Sequence, residues 1–157
     1  MMLAAKAAVF GAVALAVGQL VVFAIFLGGE AVLTPAAPHA SLGEPAVLRA
    51  VLLTGTYLAL LGLVGVGIGA IIRHTAGAVT ALVGVLFVLP WIVVGAGQES
   101  ALDAVGKYAP MFINEYSVAA VEPVPHALSP WAGLGTVCLY AAVALGGGGW
   151  MLTRRDA

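Results

Sequence analysis

The chain has 157 residues, 62% of them hydrophobic and 8% charged, with a net charge of -1 and a mean hydropathy of +1.12. A soluble domain carries about a quarter charged residues, so a surface this poor in charge excludes water as the main solvent. The charge balance excludes a nucleic-acid partner, and the lone cysteine, Cys138, excludes an intramolecular disulfide, a zinc set or a CxxC redox pair.

The six basic and seven acidic residues all fall outside four windows, residues 7–28, 50–72, 75–97 and 131–152. As helices, these windows cover about 33–35 Å each at about 1.5 Å per residue, enough for a hydrocarbon core of about 30 Å. One Arg, Lys or Asp at mid-span costs about 2.5–3.5 kcal/mol on insertion scales. Lipid offers the backbone no hydrogen-bond partner, so only helices or closed barrels cross it. The runs lack the period-2 alternation of barrel strands. The expected fold is all-α: a single-domain polytopic membrane bundle of four spans.

Span one follows Lys6, but its apolar run exceeds the 7–15 residues of a signal peptide, so a permanent span is expected. It contains Gln19, its only strongly polar deep side chain, and Gly11 and Gly18 at seven-residue spacing. Residues 29–48 form an outer loop whose three prolines oppose regular structure. Span two carries Thr54, Thr56 and Tyr57 in its outer half, then Gly62, Gly65 and Gly69 close to one helix face. These five glycines of spans one and two are candidate helix-packing positions, since small residues let backbones approach. Gln19 and Tyr57 are candidate pathway groups, although bonding between helices is the commoner role of such side chains.

Arg73 and His74 make the turn into span three, where Gly77 and Gly84 repeat the seven-residue spacing. Pro90 removes one backbone donor there and clashes with the Leu86 carbonyl, so a kink is expected and a gate is conceivable. Residues 98–130 form the second outer segment. Its stretch QESALDAVGKYAP has acids early and Lys107 late, which suits the macrodipole. Leu102, Val105 and Ala109 fall at helical spacing, so a short interfacial or re-entrant helix is expected, ended by Pro110. The stretch FINEYSVAAVEPVP gives no clear period. Span four ends on the run Gly146–Gly149 and TRRDA.

Orientation follows from the basic residues. With both termini cytoplasmic, the inner segments hold the anchors Lys6, Arg73, Arg154 and Arg155, and the outer loops only Arg49 and Lys107. Trp91 and Trp131 then lie near the outer interface and Trp150 near the inner one. His39, His74 and His126 lie on separate segments, so no metal site follows, and no cofactor is expected. There is no GxxxxGK[ST] phosphate loop, no nucleophile–base constellation and no paired intramembrane carboxylate. Glu30 stands at a span end, which weakens a proton-coupled exporter. An enzyme is not expected.

Three stretches together carry a resemblance: residues 48–90 with the glycine-rich helix ending in Arg73-His74-Thr75-Ala76-Gly77-Ala78, Lys107-Tyr108-Ala109-Pro110, and residues 128–157 with the terminal Arg-Arg-Asp-Ala. In this order they resemble the C-terminal four-span part of ABC-2-type transporter permeases, the membrane subunits of exporters common in high-GC bacteria. The resemblance implies a dimer of permease chains in the cell membrane and short re-entrant helices between the last two spans. It also implies a separate ATP-binding subunit that hydrolyses ATP. Such permeases usually have six spans and a cytoplasmic coupling helix, so this chain corresponds to part of one. A non-transporting four-helix accessory or assembly protein is the alternative expectation.

Overall fold

The computed structural model describes residues 2–32, 42–72, 74–97, 99–118 and 127–155. These form α1 (Met2–Val32), α2 (Pro45–Ile71), α3 (Thr75–Val83), a π-helical turn (Gly84–Val88), α4 (Leu89–Gly95), α5 (Glu99–Tyr108), α6 (Pro110–Ile113), a second π-helical turn (Asn114–Val118) and α7 (Pro130–Arg155). Among the described residues there is no strand. Four helical stretches, Ala5–Val32, Pro45–Ile71, Ala76–Gly95 and Pro130–Met151, are long and apolar enough to cross a membrane. Their outward faces carry large apolar side chains such as Val17, Leu20, Leu139 and Val143. The protein is a multi-pass, membrane-embedded helical bundle.

α2 is the hub, with α1 on one side and α7 on the other. At 3.6 residues per turn, Gly55, Gly62, Gly65 and Gly69 share one face of α2, and Gly67 looks the opposite way. α1 crosses the first face antiparallel. A Cβ on Gly62 would stand 2.9 Å from the Phe10 ring, one on Gly11 3.4 Å from Leu63, and one on Gly18 3.1 Å from the Gly55 carbonyl oxygen. Gly65 faces α3, where a Cβ would meet Leu82 at 3.4 Å, whereas Gly69 faces open space. α7 runs parallel to α2 on the other side. A Cβ at Gly67 would fall inside the Ala144 backbone, and one at Gly148 would lie 2.9 Å from the Ala70 Cβ. Where only glycine and alanine meet at the crossing, the two backbones come close together, and such close packing is one of the terms that hold helices together where lipid surrounds both.

The prolines do less to interrupt the helices than the sequence implies. Pro45 sits in the first turn of α2, where its missing N–H is an orphan anyway. Residues 45–48 are therefore helical, and α1 continues through Glu30 to Val32. Residues 33–41 and 119–126, with His39, Glu122 and His126, lie outside the described residues, as does Arg73.

Span three also runs on past Pro90. The turn just before it is π-helical, with the Leu89 N–H bonded to the Gly84 carbonyl five residues back. That wider turn makes room beside the imide ring in place of a break. The span stops at Gly97, whose φ of +69° provides the left-handed cap.

Lys6 is exposed near the start of α1. The helix pairings put the start of α1, the α2–α3 turn with His74, and the end of α7 at one end of the bundle. The α7 backbone includes Arg154 and Arg155; their side chains lie outside the described residues. Trp91 and Trp131 lie toward the other end and Trp150 toward the first, all three exposed.

Candidate functional site

The segment between spans three and four folds back on itself. α5 forms where expected, and an ion pair of Lys107 with Asp103 one turn earlier, at 2.7 Å, braces its exposed face. It ends at Tyr108. Pro110 does not merely stop it: with its fixed φ it opens α6, and the chain returns through the second π-helical turn to Val118. The result is a short helical hairpin with its tip at Tyr108–Pro110.

This tip is set deep between α2 and α7. Tyr57 donates its hydroxyl to the Pro110 carbonyl at 2.7 Å, and Tyr140 donates to the Tyr108 carbonyl at 2.7 Å. Tyr57 lies 12 residues into α2 and Tyr140 10 residues into α7, about 18 and 15 Å along their axes at about 1.5 Å per residue. A chain reversal at that depth puts carbonyls where hydrocarbon supplies no donor. Tyr140 supplies one to Tyr108, and Tyr57 adds one to Pro110, whose carbonyl also accepts the Asn114 N–H. Ile113 and Val118 of the returning arm are fully buried against Val137, Leu53 and Tyr57. Gly133 admits this arm to α7, since a Cβ there would stand 3.0 Å from Ile113 and Ser117. Nearer the hairpin's base, Phe112 stacks on Tyr116 at 5.7 Å and meets the Trp91 ring edge-on at 6.5 Å, tying the hairpin to α4.

Below the tip is a half-open cavity of about 690 Å³. α2 contributes Leu61 and Val64, span three Leu86, Leu89 and Pro90, and α7 Tyr140 and Val143. Val105, Tyr108 and Ala109 of the hairpin roof it. The lining has no carboxylate, imidazole, ammonium or thiol. It can enclose an apolar group.

The three pathway candidates separate. Pro90 is buried and lines the cavity. Tyr57 does not line it; it is 4% exposed and anchors the hairpin tip. Gln19 also faces away, donating its amide to the Leu52 carbonyl at 2.9 Å across the α1–α2 seam. Its Oε1 is buried against Gly55, where a Cβ would collide with it. Thr54 and Thr56 bond to their own helix, at Ala50 and Leu52. Gly148 belongs to the run Gly146–Gly149 that stands out in the sequence, whereas Tyr140, Gly55, Gly67 and Gly133 were not singled out from it. Their partners lie on distant segments, so no local pattern marks them. Among the described residues, no three His, Cys, Asp or Glu side chains converge.

No protein-family model, curated protein or solved structure matches the chain.

Proposed function

We propose that the chain is a membrane-spanning permease subunit of an ATP-driven exporter of the ABC-2 type, moving a substrate across the cell membrane. The reading is supported by one observation above others: a re-entrant helical hairpin between the third and fourth spans, seated on Tyr57 and Tyr140. The Lys-Tyr-x-Pro stretch that carries part of the resemblance forms its tip, Lys107 to Pro110. In this reading the hairpin faces outside and Lys6, Arg73, Arg154 and Arg155 lie in the cytoplasm, in keeping with the positive-inside rule. The partners are an ATP-binding subunit and a second permease chain, with transport coupled to hydrolysis in the former.

A second reading, a non-transporting accessory or assembly subunit, is favoured by the α2–α3 connection. Between Ile71 and Thr75 the chain has three residues, too short a stretch for a helix that seats a soluble ATPase. Expression with the genes that neighbour it separates the two readings. Co-purification with an ATP-binding subunit in detergent, and stimulation of its ATPase activity, is the outcome expected of a permease. A stable complex with another membrane protein but no ATP-binding subunit and no stimulation would favour the accessory role.

A further inference from the structure

The cavity under the hairpin differs from an ordinary gap between splayed helices in being roofed: Val105, Tyr108 and Ala109 of the hairpin close its upper end. Its opening is sideways, between span three and α7. The side chains at that mouth, Val85, Leu89, Leu139 and Val143, are 52–66% exposed, whereas Val64 and Leu86 on its floor are 7% exposed.

We infer that this cleft holds a single hydrocarbon chain, the acyl tail of a membrane lipid, taken in sideways from the bilayer. Water is excluded as the occupant, since it enters a cavity only where polar partners await it. Two tyrosines line the cleft; the Tyr140 hydroxyl is already donated to the Tyr108 carbonyl, and the Tyr108 hydroxyl alone falls short of the about two to four partners a buried water needs. An empty cleft forfeits the dispersion contacts of its whole lining. At about 690 Å³ it falls in the range of about 300–1,000 Å³ typical of ligand sites. A helix of a second copy, about 10–12 Å across with its side chains, needs a furrow open along the whole span, and the hairpin blocks this one at the depth of Tyr57 and Tyr140. A flexible chain one methylene wide fits such a dead-ended slot, and at this depth acyl tails are the abundant apolar material. The inference needs the spans to lie in lipid and is independent of the export reading.

The test uses the full chain in phosphatidylcholine vesicles containing a phosphatidylcholine with a photoactivatable diazirine midway along one acyl chain. Labelled sites are mapped by mass spectrometry. Lipid outside the protein reaches Val17 and Leu20 on the outward face of α1 but not the cleft floor. Labelling of Val64 and Leu86 at least as heavy as that of Val17 and Leu20 is expected, and a several-fold fall at the floor alone in Leu89→Trp. Val143→Trp blocks the mouth from the α7 side and repeats the test should Leu89→Trp not fold. Labelling confined to the outward faces would overturn the inference, as would floor labelling unchanged in both blocked variants. Disulfide cross-links between copies, from Val85→Cys to Val143→Cys, that abolish floor labelling would instead assign the cleft to a second chain.

Discussion

Tyr57 and Tyr140 stand on two different helices and donate their hydroxyls to carbonyls two residues apart, those of Pro110 and Tyr108, each at 2.7 Å. Both bonds reach far along the chain, over 53 and 32 residues. They hold the hairpin tip at a depth where an unpaired carbonyl has no solvent to fall back on.

Removing either hydroxyl should therefore loosen the tip. Tyr57→Phe and Tyr140→Phe are each expected to cost about 0.6 kcal/mol and at most about 1.7 kcal/mol, the average and the maximum for hydrogen bonds between membrane helices. Thermal unfolding in detergent measures the loss. The double variant should also speed labelling of a cysteine at Ala109, because the Tyr108 carbonyl loses its side-chain donor and draws water inward.

The α2 glycines separate into those that admit a neighbour and those that do not. Gly67→Ala places a methyl inside the Ala144 backbone, which cannot rotate away, and overpacking of this kind costs about 1–3 kcal/mol. Gly69→Ala meets nothing within 4 Å and should be neutral or stabilising by up to about 1 kcal/mol, since alanine is the better helix former. Equal losses at the two sites would contradict the α2–α7 packing.

Gln19 and Gly55 form a coupled pair. Gly55→Ala alone collides with the Gln19 amide and is expected to destabilise the α1–α2 seam. The Gln19→Ala, Gly55→Ala double variant relieves that collision. A double-mutant cycle in thermal stability should show coupling of about 0.5–3 kcal/mol, as for residues in contact. Simple additivity would remove Gln19 from Gly55.

Pro90→Ala restores a backbone donor at the end of the π-helical turn. A regular α-helical ladder then becomes available through Gly84–Val88, and amide hydrogen exchange there should slow. Unchanged exchange would mean that the widened turn is set by packing around Leu86 and not by the proline.

The spans were legible because ionised groups are costly in lipid, and their absence from four long windows leaves few readings. α5 was legible for local reasons, its charge order and apolar spacing. The returning arm was not. Pro110 reads equally well as a stop or a start, and the arm's periodicity is blurred by the π-helical turn at Asn114–Val118. Its seat depends on Gly133, Tyr57 and Val137, which no nearby residue identifies. Tyr57 stood out as a polar group in a span, but its role as an anchor becomes visible only with its partner. Glycines show the same limit. Gly55, Gly67 and Gly69 look alike in a chain of 21 glycines, and only the neighbouring helices tell them apart.

The central claim is that the segment after α4 enters the bundle and turns back without crossing. Single cysteines at His74, Asp103, Ala109 and Glu115, in a Cys138→Ser background, test it with a membrane-impermeant maleimide applied from either side. Asp103 and Glu115 should label from one side, His74 from the opposite side, and Ala109 slowly or not at all from both. Labelling of Asp103 and Glu115 from opposite sides would contradict the hairpin, and with it the arrangement proposed for the whole bundle.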